Sequence, residues 1–269
     1  MSAAADARPP IRTRREGRVL VLVNDNPGKR NAISPGLYAA LAEALEAARD
    51  DDAVGAVVLT GADRYFCSGG DLALLAKRRE LSPAERREKL EGLHGLVRLM
   101  RGFPKPIVAA VEGGAAGAGF SLALACDLLV AARDAVFSVA YVKVGLTPDG
   151  GVTAFLAEAL PRQLVTELAL TGAPVGAERL HALGVVNRVT EPGAADDEAL
   201  AWAERLADGP QRAAARIKAL CHGAYQGEGL PAQLDREAES MVLSQADAES
   251  AEGIAAFFDK RKADFSALR

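Results

Sequence analysis

Two glycine-rich bends carry the clearest chemical signal in this sequence. The first covers residues 66–72 (FCSGGDL) and the second covers residues 113–119 (GGAAGAG). Glycine and alanine at such bends let main-chain N–H groups point outward and approach a ligand closely. Two N–H groups that converge on one oxygen stabilise an anion that forms only during a reaction. Together the bends predict an oxyanion site built from main-chain amides.

The elements around the bends must hold them in place. Runs typical of buried strands precede both, at residues 56–60 (AVVLT) and 106–111 (PIVAAV), and an apolar helix follows the second at residues 120–125. Ala118 lies where this helix begins, so its N–H has no partner within the helix, and the helix dipole favours negative charge there.

Other interpretations of the bends are simpler. Either bend alone is typical of an ordinary strand-to-helix turn. The glycines of the second do not have the Gly-x-Gly-x-x-Gly spacing of a dinucleotide site. Ser121 follows Gly119 but does not stand between two glycines, as the serine of a nucleophile elbow does.

Strand-like and helical runs alternate along the chain. Residues 18–24 form a β-rich run, and Ser34 with Pro35 predicts a helix start, with serine as N-cap and proline in the first helical position. Ser82 and Glu85 have the spacing of a capping box and predict a second start.

The second half of the chain changes character. Two short strands are predicted at residues 128–132 and 136–139, and from Thr153 onward the pattern is mostly helical, interrupted at residues 185–189. Alternation followed by a helical tail predicts an α/β core and an α-helical C-terminal segment.

Composition and charge argue against nucleic-acid and membrane proteins. The 269 residues are 49% apolar, with 32 Lys and Arg against 36 Asp and Glu. The most apolar stretch, residues 113–126, is too short to span a bilayer. Residues 1–10 are typical of a disordered lead without a signal-peptide core. Cys67, Cys126 and Cys221 are predicted to be free thiols in a reducing cytoplasm.

Several segments in a fixed order resemble the crotonase superfamily, the enoyl-CoA hydratase/isomerase family. They span nearly the whole chain, and the closest motifs are those of the ring-rearranging isomerase of phenylacetate degradation. The segments are residues 26–32 (NPGKRNA), 66–72, 105–119, 123–127 (ALACD), 145–151 (GLTPDGG) and 257–262 (FFDKRK).

The resemblance implies a spiral of ββα units with a helical C-terminal trimerisation region, often assembled as a dimer of trimers. We expect a disordered lead at residues 1–10, a spiral core at 11–200 and the trimerisation region at 201–269. It also implies an acyl-CoA thioester as substrate. No metal or separate cofactor is expected, because the thioester itself accepts the electrons and CoA is part of the substrate.

By the same resemblance, the N–H groups of Gly70 and Ala118 donate to the thioester oxygen, and Gly117 contacts the substrate. Removing a proton from the acyl chain places charge on that oxygen as an enolate, which the two donors stabilise. The CoA moiety is expected to bind at six positions. Three basic residues near the C-terminus, Lys260, Arg261 and Lys262, are also expected to approach it. The six are Lys29, Arg30, Ala32, Ser68, Asp71 and Leu72.

The sequence departs from the hydratase pattern at the proton-transfer positions. Ser121 and Tyr141 stand where hydratases have two glutamates. Serine is too weak an acid, and the pKa of a tyrosine hydroxyl is ~10. Asp149 is the candidate acid/base instead, as in some isomerases of the family. Taken alone, Pro-Asp-Gly at this point would also be typical of a turn.

His94 raises a hydrolytic alternative. Aryl-CoA dehalogenases of the superfamily have a histidine here, an aspartate nucleophile at the Asp149 position and an aromatic residue at the Tyr141 position. A lone histidine is more often a packing residue, and Tyr141 is expected to line the acyl pocket. Cys67 is expected to be a packing residue.

The leading hypothesis is therefore an isomerase, or a ring-opening enzyme, that acts on an enoyl- or phenylacetyl-derived CoA thioester. The alternatives are an enoyl-CoA hydratase, a hydrolase that uses Asp149 and His94, and a non-catalytic acyl-CoA-binding protein.

Overall fold

The computed structural model describes residues 9–26, 28–225, 227 and 229–268. The predicted N-terminal lead lies outside these ranges except for Pro9 and Pro10. Pro27, in the segment expected to bind CoA, also lies outside them.

The strands form two sheets within these ranges. Their bounds are β1 (Ile11–Glu16), β2 (Val19–Asn24), β3 (Ala56–Gly61), β4 (Ile107–Val111), β5 (Gly114–Ala116), β6 (Leu128–Ala132), β7 (Val136–Ser138), β8 (Val175–Gly176) and β9 (Arg188–Thr190). The larger sheet has the order β1-β2-β3-β4-β6-β9, and the smaller has the order β5-β7-β8. In the larger sheet β1 and β2 are antiparallel and every other neighbouring pair is parallel.

Helices follow most strand pairs and fill the C-terminal part. Their bounds are α1 (Pro35–Arg49), α2 (Leu72–Arg78), α3 (Pro83–Gly102), α4 (Ala118–Ala125), α5 (Val152–Ala159), α6 (Arg162–Thr171), α7 (Ala177–Ala182), α8 (Ala195–Ala207), α9 (Gln211–Ala224), α10 (Gly229–Gln245) and α11 (Ala248–Phe258). This order confirms the predicted α/β class and the helical C-terminal region.

The larger sheet is buried on both faces. Every residue of β3 and β4 is buried, which is why these strands are continuous apolar runs in the sequence. One face packs against α1 and α3 through side chains such as Leu41 and Leu96. The other face is covered by α8, which brings Ala199 and Ala203 to the sheet. Alanine at a spacing of four residues lets this helix lie close to the strands.

Local signals in the sequence set the helices that flank the site. Ser82 and Glu85 form the predicted capping box at the start of α3. Ser34 is the N-cap of α1, although its side chain makes no capping hydrogen bond. The predicted domain boundary at residue 200 lies within α8. No helix in the described ranges has the length and apolar character that crossing a membrane requires.

Candidate active site

The two glycine-rich bends are joined by main-chain hydrogen bonds. The Cys67 N–H donates to the Gly114 carbonyl at 3.2 Å, and the Ala116 N–H donates to the Cys67 carbonyl at 3.0 Å. They form an isolated parallel bridge between Cys67 and Ala115. Segments distant in the sequence are thereby held side by side at the start of α4.

Missing side chains allow this close approach. A Cβ atom on Gly69 would lie 2.6 Å from the Ala116 carbonyl oxygen, and one on Gly119 would lie 2.5 Å from the Cys67 carbonyl oxygen. Gly117, the N-cap of α4, has φ 51° and ψ −128°, a conformation that other residues rarely adopt. Glycine is therefore required at each of these points.

Gly70, Gly117 and Ala118 line one cavity of about 590 Å³. Ala118 is the first residue of α4, so its N–H cannot bond within the helix. Among the residues that the structure describes, no acceptor takes a hydrogen bond from the N–H of Gly70 or of Ala118. Both amides remain available to an oxygen atom of a ligand.

Asp149 lies in the wall of the same cavity and is held by Ser121 and Tyr141. The Tyr141 hydroxyl donates to Asp149 Oδ1 at 2.7 Å. The Ser121 hydroxyl donates to the Asp149 main-chain oxygen at 2.9 Å and lies 3.3 Å from the Tyr141 hydroxyl. Ser121, Tyr141 and Asp149 therefore form one hydrogen-bonded group.

The tyrosines around Asp149 stay neutral. Burial, followed by the negative charge of Asp149, raises the pKa of Tyr141 well above its ordinary value. The same two causes, in the same order, raise the pKa of Tyr38. Each hydroxyl is therefore a hydrogen-bond donor throughout the physiological pH range and cannot accept a proton as a base.

His94 lines the cavity, and the carboxylate near its ring belongs to its own helix. Its Nδ1 lies 3.9 Å from Glu91 Oε1, one turn earlier on α3, and its side chain is 34% exposed. No hydrogen bond or ion pair joins His94 to Asp149 among the described residues.

The residues expected to bind CoA make contacts with one another. Lys29 Nζ lies 2.6 Å from Asp71 Oδ2, and Asp71 Oδ1 caps α2 by accepting from the Ala73 N–H at 2.9 Å. The Ser68 hydroxyl donates to the Lys29 carbonyl at 3.0 Å. Asp71 thus has a structural role as N-cap as well as its position in the cavity wall.

The predicted CoA positions divide into two groups. Ser68, Asp71 and Leu72 line the cavity. Lys29, Arg30 and Ala32 do not; the Arg30 guanidinium instead lies 5.8 Å from the centre of the Tyr65 ring.

Further along the chain, Arg261 pairs with Glu252 on α11. Within the described residues, no interaction brings Arg261, Lys260 or Lys262 to the cavity.

Several residues that line the cavity were not predicted from the sequence. They include Tyr38 on α1, Leu75 and Arg78 on α2, Arg79 directly after α2, and Arg86 and Leu90 on α3. Leu90 belongs to the apolar stripe of α3, but the sequence does not separate a cavity wall from a packed core. The arginines carry no signal, because exposed basic residues are common on helices.

Two of the three cysteines are buried packing residues. Cys67 and Cys126 are buried, Cys221 is exposed, and all are free thiols, as predicted. Burial raises the pKa of Cys67 to about 12, so it stays a thiol beside the oxyanion bend. Among the described residues, no group of His, Cys, Asp and Glu is arranged to hold a metal ion.

Comparison with known proteins places the chain in a family. The model of the family described as Enoyl-CoA hydratase/isomerase matches residues 14–267. The 1,2-epoxyphenylacetyl-CoA isomerase of Escherichia coli is 35% identical over 256 residues, which cover 93% of this chain and 96% of that protein. A putative enoyl-CoA hydratase of Thermus thermophilus is 37% identical over 250 residues, which cover 93% and 98%.

The fold of the chain is also similar to that of a solved structure. The crystal structure of an enoyl-CoA hydratase from a Polaromonas species matches with a TM-score of 0.92 and 45% identity, covering 94% of this chain and 98% of that one. The predicted crotonase-like fold is therefore confirmed. The chain belongs to the enoyl-CoA hydratase/isomerase family.

Proposed function

We propose that this member of an acyl-CoA-processing family is an isomerase, or a ring-opening enzyme, that works through a thioester enolate. In the proposed reaction, the Gly70 and Ala118 amides hold the thioester oxygen. Asp149 removes a proton from one carbon of the acyl group and returns it to another.

The observation that supports this proposal is the small number of carboxylates that line the cavity. Of the residues that the structure describes, Asp71 and Asp149 are the two carboxylates in the cavity wall. Asp71 caps α2 and pairs with Lys29, whereas no described residue forms an ion pair with Asp149. Hydration by a pair of carboxylates requires a second carboxylate that has no structural ion pair. A proton shuttle between two carbons requires only one carboxylate.

The oxyanion amides favour the enolate over the bound substrate. Charge develops on the thioester oxygen only when the C–H bond breaks, so preformed donors stabilise the transition state selectively. Each such donor typically lowers the barrier by ~3 kcal/mol. The thioester accepts the electron pair, and the proposed reaction therefore uses no metal or redox cofactor.

The first experiment is a panel of CoA thioesters incubated with the enzyme and followed by mass spectrometry and ultraviolet absorbance. The panel contains 2-enoyl, 3-enoyl, dienoyl and epoxyphenylacetyl thioesters, the last because of the name of the Escherichia coli relative. We expect products of unchanged mass. A product heavier by one water would instead identify a hydratase, and oxygen from labelled water in the protein would identify the hydrolase.

The variant Asp149→Asn tests the proton carrier. We expect kcat to fall by ~10³-fold, within the usual range for loss of a general base, with little change in CoA affinity. The exposed Asp134→Asn is the matched control and should keep full activity. Turnover by Asp149→Asn at the wild-type rate would remove the residue from the mechanism. CoA binding without turnover of any thioester would favour the non-catalytic alternative.

A further inference from the structure

Three arginines form one end of the cavity, which we call the arginine end. Arg78 and Arg79 lie at the C-terminal end of α2, and Arg86 lies near the start of α3. Among the residues that the structure describes, none of the three has a carboxylate within ion-pair distance. Three positively charged side chains therefore line the cavity without an ion-pair partner among the described residues.

The arginine end lies away from the proposed CoA end. The helix α2 starts at Leu72, directly after the Lys29–Asp71 pair, and ends at Arg78. At 1.5 Å per residue these two points are ~9 Å apart. The CoA phosphates and the arginines are therefore expected at opposite ends of α2.

Helix α3 connects the arginine end to the reacting centre. Arg86, Leu90 and His94 all line the cavity at successive helical turns, so they share one face of α3. The His94 end is close to Asp149, because a Cβ atom on Gly150 would lie 2.9 Å from Leu93 Cδ2. Arg86 lies ~12 Å further along the helix axis.

Tyr38 gives an independent sign of this geometry. The pKa of its hydroxyl is raised by the charge of Asp149 and lowered by the charge of Arg78, both after the larger effect of burial. Both charges therefore lie within electrostatic reach of one hydroxyl. Leu90 lies one helical turn from Arg86 and one turn from His94, so an apolar side chain lines the cavity between the arginine end and the reacting centre.

We propose that the acyl group of the substrate ends in a carboxylate that binds at the arginine end, so that the substrate is an ω-carboxyacyl-CoA. The inference rests on the proposed function for the orientation of the thioester. An apolar stretch followed by guanidinium groups fits a hydrocarbon chain with an anionic end, since Arg binds carboxylates through paired charge-assisted hydrogen bonds. The other anion that could bind these arginines is a phosphate of CoA.

The test measures binding, which does not depend on turnover. Dissociation constants are determined by calorimetry for octanoyl-CoA and for its ω-carboxy counterpart, suberyl-CoA. The same pair is measured as pantetheine thioesters, which lack the nucleotide and its phosphates. The proteins are wild type, the double variant Arg78→Gln/Arg86→Gln, and the control Arg87→Gln, which changes the next residue of α3 outside the cavity.

We expect wild type and Arg87→Gln to bind the carboxylated thioester at least ~10-fold more tightly than the neutral thioester in both series. A hydrogen bond between charged groups typically raises affinity by about this factor. The double variant should lose this preference and keep its affinity for the neutral thioester. The charge-conserving Arg78→Lys/Arg86→Lys should keep part of the preference, which separates charge from a folding defect.

Two outcomes would overturn the inference. One is equal binding of the two thioesters by wild type. The other is a double variant that binds both CoA thioesters more weakly while its pantetheine binding is unchanged, because the arginines would then bind CoA phosphates. A wild type that prefers suberyl-CoA but converts no thioester would refute the proposed function and leave this inference standing.

Discussion

At the scale of single residues, Ser121 and Tyr141 determine how Asp149 is held. Ser121 and Tyr141 do not supply carboxylates, but both bind Asp149, one at its main chain and one at its carboxylate. The second carboxylate oxygen, Oδ2, takes no hydrogen bond from a described residue. These two contacts therefore fix the orientation of Asp149 and leave one carboxylate oxygen without a hydrogen bond from a described residue.

Tyr141→Phe tests this positioning role. The variant loses one hydrogen bond to a charged group, which contributes ~1.5–3 kcal/mol, so we expect kcat to fall by ~10- to 100-fold with KM nearly unchanged. Tyr225→Phe, at an exposed tyrosine, is the control. A rise in KM that matches the fall in kcat would indicate a packing role only.

At the scale of elements, the sequence predicts those parts of the fold whose burial is complete. The strands β3 and β4 are continuous apolar runs, and the capping box of α3 is a local signal with a defined spacing. Strand β1 was missed because four of its six residues are exposed and polar at the sheet edge. Helix α2 was not predicted, although residues 73–81 (ALLAKRREL) are good helix formers and Asp71 directly before the helix is a typical N-cap. The residue types indicated the two oxyanion bends, but not the Cys67–Ala115 bridge, since pairing between distant segments has no local signature.

Gly119→Ala tests whether the close approach of the two bends matters. The new Cβ would lie 2.5 Å from the Cys67 carbonyl oxygen and 2.7 Å from its Cβ, so the first bend must move away from α4. We expect kcat to fall by ~10²- to 10³-fold, the usual effect of losing an oxyanion donor.

The matched control is Gly95→Ala on α3, where an added Cβ has no atom within 4 Å. It should stabilise the helix by ~1 kcal/mol and leave activity unchanged. Thermal unfolding with calorimetric detection checks both variants. Full activity in a folded Gly119→Ala protein would show that the bends tolerate separation.

At the scale of the whole molecule, the C-terminal helices expose more apolar surface than a monomer usually does. In α11 the side chains of Ile254, Phe257 and Phe258 are 58%, 78% and 76% exposed. Large exposed apolar patches typically mark an interface between proteins. This pattern supports the proposal, first made from the family resemblance, that α9–α11 assemble the chain into trimers. The remaining exposed apolar residues of these helices are Ile217, Leu230, Leu234, Met241, Val242 and Leu243.

The double variant Phe257→Glu/Phe258→Glu tests the assembly. Each buried aromatic side chain contributes about 1.5–3 kcal/mol, and a carboxylate at such an interface has no partner, so we expect the trimer to dissociate at micromolar concentration. Light scattering should give wild type the mass of three or six chains of 28.0 kDa and give the variant the mass of one chain. Leu170→Glu, on α6 and 69% exposed, is the control and should keep the wild-type mass. A monomeric wild type would contradict the proposal, because the exposed aromatic rings would then face only water.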